Sequence, residues 1–279
     1  MIIRMTMVTT IMITTIIMIT TTTTAMITSM TIITDGLLPG SAERAALSDE
    51  GVLKLGLWLS PAFPVGGFTY SHGLEWAIED GSVTTAARLE AWLGDILDHG
   101  AGRNDAILFC AAWRAATAGE TARLADVIEL ADAFQPSRER RLEASAQGAA
   151  FAKAIGDTWM NDALASQLSA LGSVFAGQPI PWTYAIAVAV AASAHDLALR
   201  PALTAYLQAF AANVVSAGVR AIPLGQTQGL GILARLAPKL FQIAEHAISA
   251  TLEDLGGAAL RADIASMRHE TQYTRLFRS

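Results

Sequence analysis

The chain has 279 residues, enough for one large domain or two small ones with a sizeable buried core. With 19 Lys+Arg against 25 Asp+Glu its net charge is -6, so the overall field gives no reason to expect nucleic acid as a partner. Charged residues make up 16% and hydrophobic ones 52%, which excludes disorder over most of the chain and leaves room for a membrane protein or one with extensive interfaces.

Residues 1–34 are a low-complexity extension in which 13 Thr, 10 Ile and 7 Met leave Arg4 as the only charge. Without it the remainder carries 18 basic and 25 acidic residues, a net charge of -7. Its β-branched Thr runs dilute it as a membrane helix, and it lacks the compact apolar stretch and small-residue cleavage site of a signal peptide. It reads as a non-folding extension, such as an upstream start of translation would add, and its composition favours β-aggregation. Residues 35–50 read as a Gly/Pro/Ser linker, and residues 51–279 as one domain ending in an interaction tail at about 261–279.

From Val52 the period is helical. Leu89, Trp92, Leu93, Ile96 and Leu97 make one apolar stripe; Leu124, Val127, Ile128, Ala131 and Phe134 make another; Phe241, Ala244, Ile248, Leu252 and Leu255 make a third. Asn104 and Ser137 each precede a helix-forming run and are expected to be N-caps. Gly81, Gly100 to Gly102, Gly119, Gln178 to Pro181, Pro201 and Pro223 mark turns, which divide residues 52–256 into about eight to ten helices. No alternating run argues for a sheet and no fixed period for a solenoid, so the expected fold class is all-α, a single multi-helix domain. Ala163 to Ala194 carries no charge, but Gln178, Pro179 and Pro181 split it and much of it is Ala or Ser; a central helix over Trp182 to Ala194, buried on every side, is expected instead of a membrane span.

Chemistry is sparse. Gly225 to Gly231 lacks the lysine of a phosphate loop, so the chain is not expected to hydrolyse GTP or ATP alone. His72 and Glu75 have an i, i+3 spacing that offers two metal ligands, fewer than a site needs, and read as a helix-surface or capping pair. Ser60, Ser71 and Cys110 stand in no nucleophile elbow, and the lone Cys110 reads as a core thiol in a reducing, cytosolic setting. No catalytic residue, metal or cofactor is expected, and the chain reads as a protein that binds others.

Two segments stand out for binding. Ser60 to Glu75 packs two prolines and paired glycines into a turn that carries Phe63, Phe68 and Tyr70 before a helix expected near Ser71; these aromatics either serve recognition or plug the core. Met267 to Ser279 combines Arg268, Arg275 and Arg278 with Tyr273, Leu276 and Phe277, an interface composition. It is either a solvated tail or a segment that orders when a partner, or its own domain, accepts Leu276 and Phe277.

The Ser60-Pro-Ala-Phe-Pro-Val-Gly-Gly-Phe68 loop leading to Gly73-Leu-Glu75, the Arg220-Ala-Ile-Pro-Leu-Gly-Gln-Thr227 segment and the terminal His269-Glu-Thr-Gln-Tyr-Thr-Arg-Leu-Phe-Arg-Ser279 together resemble the urease accessory protein UreF family, over about Leu53 to Ser279. The resemblance implies an all-α, cytoplasmic, non-enzymatic homodimer that acts as scaffold in a complex with UreD (or UreH) and the GTPase UreG. Through that complex it docks on urease apoprotein and promotes nickel insertion, with nickel brought by UreE. It also implies partner-binding roles for Phe68, Tyr70, Glu75, Arg220, Gly225, Gln226, His269, Glu270, Tyr273, Arg275, Leu276 and Phe277, with Phe68 and Arg275 foremost for recruiting the GTPase. Arg275 is expected to tie the terminus to carbonyls near Gly225 or to a partner carboxylate. The rival readings are a direct nickel-binding metallochaperone, an integral membrane protein, and a small-molecule enzyme built around Tyr70, His72 and Glu75.

Overall fold

Short polar side chains start several of the helices in the computed structural model, which describes residues 46–279. Ser48 accepts from the Gly51 N–H and opens α1 (Asp49–Trp58), Thr85 accepts from Arg88 N–H and opens α3 (Ala86–His99), and Ser137 accepts from Arg140 N–H and opens α6 (Arg138–Thr158). Asn161 does the same for Leu164 at the head of α7 (Asp162–Val174). Each oxygen takes one of the N–H groups that a helix start leaves without a partner. The remaining helices are α2 (Leu74–Glu79), α4 (Ala101–Thr117), α5 (Thr121–Ala133), α8 (Tyr184–Ala194), α9 (Leu199–Ala221), α10 (Gln226–Ser249) and α11 (Leu260–His269), with 3₁₀ turns at Gly67–Thr69 and Leu252–Asp254. Ten helices thus lie between residues 49 and 249, there is no strand among the described residues, and α11 occupies part of what the sequence suggests as a tail. The extension 1–34, and the linker as far as residue 45, lie outside the described residues.

Helix α8 is the centre. Every residue of it except Ser193 is buried, and it packs against α4, α6, α7 and α9. Its alternating Ala and Val side chains are short, so neighbours approach closely; α6 does so through Gly148, where a Cβ would stand 2.5 Å from the Trp182 carbonyl oxygen. Ala163 to Ala194 is therefore two helices broken at the Gln178 to Pro181 turn. Among the described residues only α9 has the length and composition to cross a bilayer, and it packs its apolar surface against α3, α4, α8 and α10. At one end of the core Trp58, wholly enclosed, meets the rings of Phe151, Trp159 and His195 edge-on at 6.3, 5.8 and 5.0 Å.

The stripes on α3 and α5 face the core as the spacing requires, except that Phe134 lies just past the end of α5 and is only half-buried. Three local expectations are corrected. Asn104 lies inside α4, because the chain breaks at Gly100, and its side chain instead accepts from the Gly256 N–H at 3.2 Å. The α10 face is Ile232, Leu236, Leu240, Ile243, Ala244, Ala247 and Ile248, so Ala244 and Ile248 of the expected stripe are buried, while Phe241 points outward and Leu252 and Leu255 follow the helix end at Ser249. Pro201 marks no turn; it sits in the first turn of α9, where a missing N–H costs nothing.

Candidate functional site

The loop after α1 and the last ten residues build one surface feature. His72 and Gly73 both have left-handed backbone, with φ of 60° and 75°, so the helix expected at Ser71 cannot begin before Leu74. At Gly73 a Cβ would also stand 2.9 Å from the Ser266 nitrogen, so α11 can lie directly over the start of α2. Beyond His269 the chain turns and runs back beside α2 and the 3₁₀ turn. Arg278 N–H donates to the Thr69 carbonyl at 2.7 Å, and Ser71 donates to the Ser279 carbonyl from both its N–H and its hydroxyl.

Two buried carboxylates hold this returning segment. Glu75 accepts from the N–H groups of Leu276 at 2.5 Å and Phe277 at 2.9 Å. Its Oε2 also lies 2.9 Å from His269 Nε2. Glu139, on α6, contacts His269 Nδ1 at 2.6 Å with one oxygen and accepts from Arg275 Nη1 at 2.9 Å with the other. Arg275 also donates to the carbonyls of Gln272 and Glu270, which folds its own turn around the guanidinium. Burial pushes the Glu139 carboxyl up, with His269 and Arg275 pulling the other way.

The twelve residues singled out in the sequence divide by this geometry. Tyr70, Glu75, His269 and Phe277 are buried; Glu75 and His269 hold the segment, Phe277 is its inward side chain, and Tyr70 lines the cavity behind the loop. Arg220 stacks over the Phe277 ring, 4.6 Å from its centroid, and Glu270 accepts from the first N–H of α6 at 3.1 Å. Phe68, Tyr273 and Leu276 face outward, at 67%, 102% and 66% exposure. Phe63 parts from Phe68 and packs on Phe151 at 5.2 Å. Gly225 hydrogen-bonds within its own turn, to Gln228, and Gln226 is exposed at the start of α10; Arg275 reaches Glu139 rather than carbonyls near Gly225. The tail is neither solvated nor wholly accepted: the domain takes Phe277 and leaves Leu276 out.

Behind the loop lies a second polar cluster around a cavity of about 30 Å³, room for a water or two. His72 Nδ1 lies 3.5 Å from Glu143, which also pairs with Arg140 and accepts from the Ser279 hydroxyl at 2.5 Å. Burial alone would raise the Glu143 carboxyl, but Arg140, the nearby His72 and the bond from the Ser279 hydroxyl outweigh it and hold it well below the usual range. Burial, then Arg140, pushes His72 down to about 4 and leaves it neutral near pH 7. The His72 and Glu75 pair is thus no helix-face pair: His72 sits before the helix and faces Glu143, whereas Glu75 faces His269. Tyr70 and His72 line the cavity and Glu75 does not, so the trio of the enzyme reading does not converge. Among the described residues no group of three His, Cys, Asp or Glu side chains is disposed to hold a metal ion.

On the far wall Tyr206 donates to Asp105 at 2.9 Å, and burial pushes the Asp105 carboxyl up to about 6. A carboxyl whose folded pKa is raised above its unfolded value stabilises the fold at low pH, and that contribution is lost as pH rises through about 6. Asp105→Asn keeps an acceptor for Tyr206 and removes the buried charge. It is expected to be more stable than the parent by about 1–2 kcal/mol at neutral pH, discounted for the residue's remaining exposure, with the gain vanishing near pH 4. Urea melts of both proteins at several pH values measure the difference, and a variant less stable at neutral pH contradicts it.

Glu139, Arg140, Glu143 and Gln147 went unread in the sequence. Their signal is a charged run, Arg138 to Glu143, in an Ala-rich chain, with members three or four apart on one face that turns out to be buried.

The sequence model of the UreF family matches residues 83–237. The urease accessory protein UreF of Rhodopseudomonas palustris (strain HaA2) is 48% identical over 241 residues, covering 86% of this chain and 97% of the relative. That of Bradyrhizobium diazoefficiens is 47% identical over 239 residues (86% and 96%), and that of Methylobacterium radiotolerans 48% over 227 residues (81% and 96%).

Proposed function

Because the chain belongs to the UreF family of urease accessory proteins, with a role in urease maturation, we propose that it is the scaffold that couples the GTPase UreG to nickel delivery in a complex with UreD. The observation that carries this reading is the docked C-terminal segment. It buries Phe277 and pins Arg275, while Leu276, Tyr273 and the neighbouring Phe68 are held outward on a rigid frame. Apolar and aromatic side chains fixed at low conformational cost are what a binding surface needs. Nucleotide and nickel chemistry stay with the partners, and the scaffold acts by binding UreG better in one nucleotide state than in another, which converts GTP turnover into a conformational change. The working unit is a cytoplasmic homodimer that reaches urease apoprotein through the complex.

Co-purification tests this. A Phe68→Asp/Leu276→Asp double variant touches two exposed side chains, so its melting temperature is expected to stay within a few degrees of the parent. Its recovery of UreG and UreD is expected to fall about 30-fold or more, as loss of a central apolar anchor costs about 2 kcal/mol or more. Unchanged recovery, or unchanged urease activation in a reconstituted assay, removes the reading.

A further inference from the structure

We propose that Glu75, His269 and Glu139 form a proton-dependent latch that positions the C-terminal segment, closed while the three groups share two protons and released when one is lost. The proposal follows from counting hydrogens. His269 is completely enclosed, and both of its ring nitrogens lie against carboxylate oxygens, Nδ1 at 2.6 Å from Glu139 and Nε2 at 2.9 Å from Glu75. A carboxylate only accepts, and a neutral imidazole has one donor and one lone pair, so it can satisfy one such contact and not both. Each contact needs its own hydrogen. That is met by an imidazolium between two carboxylates, or by a neutral imidazole with one carboxyl protonated. Both arrangements hold two protons and leave the triad at a net charge of -1, which the Arg275 guanidinium on Glu139 offsets.

Loss of one proton sets lone pair against lone pair at under 3 Å in a site with no solvent to relieve it. The effect is transmitted because the same two carboxylates hold the segment: Glu75 takes the Leu276 and Phe277 amides and Glu139 takes Arg275. His269 acts through them and is a positioning residue. The charged groups that contact it are Glu75 from α2 and Glu139 from α6; Arg275 from the segment and Glu270 at the end of α11 act on Glu139, while Arg140 and Glu143 on α6 and Asp263 on α11 interact with one another. Burial pushes the Glu139 carboxyl up, so a proton on that carboxyl is accessible. The sign is fixed: two protons are bound in the closed form and one in the open form, so the segment loosens as pH rises.

Hydrogen exchange at the Leu276 and Phe277 amides of the full chain tests the latch. Corrected for intrinsic rates, their protection is expected to fall about ten- to hundredfold between about pH 6 and about pH 9, the loss of one charge-assisted contact. Glu139→Gln supplies the discriminating profile. Its amide nitrogen donates to Nδ1 while its oxygen still accepts from Arg275, so a neutral imidazole satisfies both contacts and protection is expected to stay flat across the same range. A flat profile in the parent, or a Glu139→Gln variant that loses protection along the parent's curve, overturns the proposal; should that variant fail to fold, the parent's profile decides alone. The consequence for recruitment rests on the segment being the partner surface. Because exchange needs no partner, a latch that titrates while UreG capture stays constant supports the latch and removes that reading.

Discussion

Gly148→Ala is expected to lower stability by about 2 kcal/mol or more, although alanine is the better helix former by about 1 kcal/mol. The added Cβ would stand 2.5 Å from both the Thr183 carbonyl carbon and the Trp182 carbonyl oxygen, and 2.7 Å from the Trp182 carbonyl carbon. A Cβ has no rotamer to escape into, and its neighbours are backbone, so either α6 lifts off α8 or the turn ahead of Tyr184 deforms. For a domain of this size the melting temperature is expected to drop by about 4–8 °C. Gly156→Ala, two turns along the same helix, meets nothing closer than the Met160 methyl at 3.6 Å and is the control. It is expected to leave stability unchanged or to raise it by a few tenths of a kcal/mol, up to about 1. Equal melting temperatures for the two variants would mean that α6 and α8 do not approach as closely as described. Because Glu139, Arg140, Glu143 and Gln147 ride on α6, the Gly148 variant is also expected to weaken the hold on the C-terminal segment.

Glu75→Ala is expected to free that segment. The substitution removes an acceptor shared by the Leu276 and Phe277 amides and His269 Nε2, and it leaves Glu139 alone beside the enclosed imidazole. Breaking one partner out of a buried charged set costs about 3–5 kcal/mol where the rest stays buried. Here the cost has a ceiling, because residues 270–279 can detach as a unit before the helices unfold. The expected result is therefore rapid tryptic cleavage at Arg275 and Arg278 with only a modest change in global melting, against slow cleavage in the parent. Glu75→Gln is expected to be intermediate: its carbonyl still accepts from Leu276, but its amide faces the Phe277 N–H, donor against donor. Cleavage of Glu75→Ala at the parental rate would show that the two amides and His269 do not depend on this carboxylate.

Individual residues show why some of this was legible beforehand. Ser137 could be read as a cap because capping is decided within four residues, and the α3 and α5 stripes could be read because periodicity is local. Asn104 misled because a good capping residue is inert when the chain breaks four residues earlier, at Gly100, and a distant amide, Gly256, claims its oxygen. The terminal motif was visible as composition, but composition does not say which of two adjacent apolar residues turns inward. Phe277 does, under Arg220, and Leu276 does not, because the Glu75 carboxylate fixes the backbone of both.

The sequence by itself determined an all-helical chain, its main breaks, a buried Ala-rich centre, and a loop and terminus with the makings of an interface, since each of these rests on side chains within a few positions of one another. Tertiary structure alone decided that Glu75, Glu139 and His269 meet, across 64 to 194 positions of sequence separation. Burying charged groups is unfavourable one at a time and tolerable only when complementary groups arrive together, and that depends on where α2, α6 and α11 cross rather than on what any one of them contains.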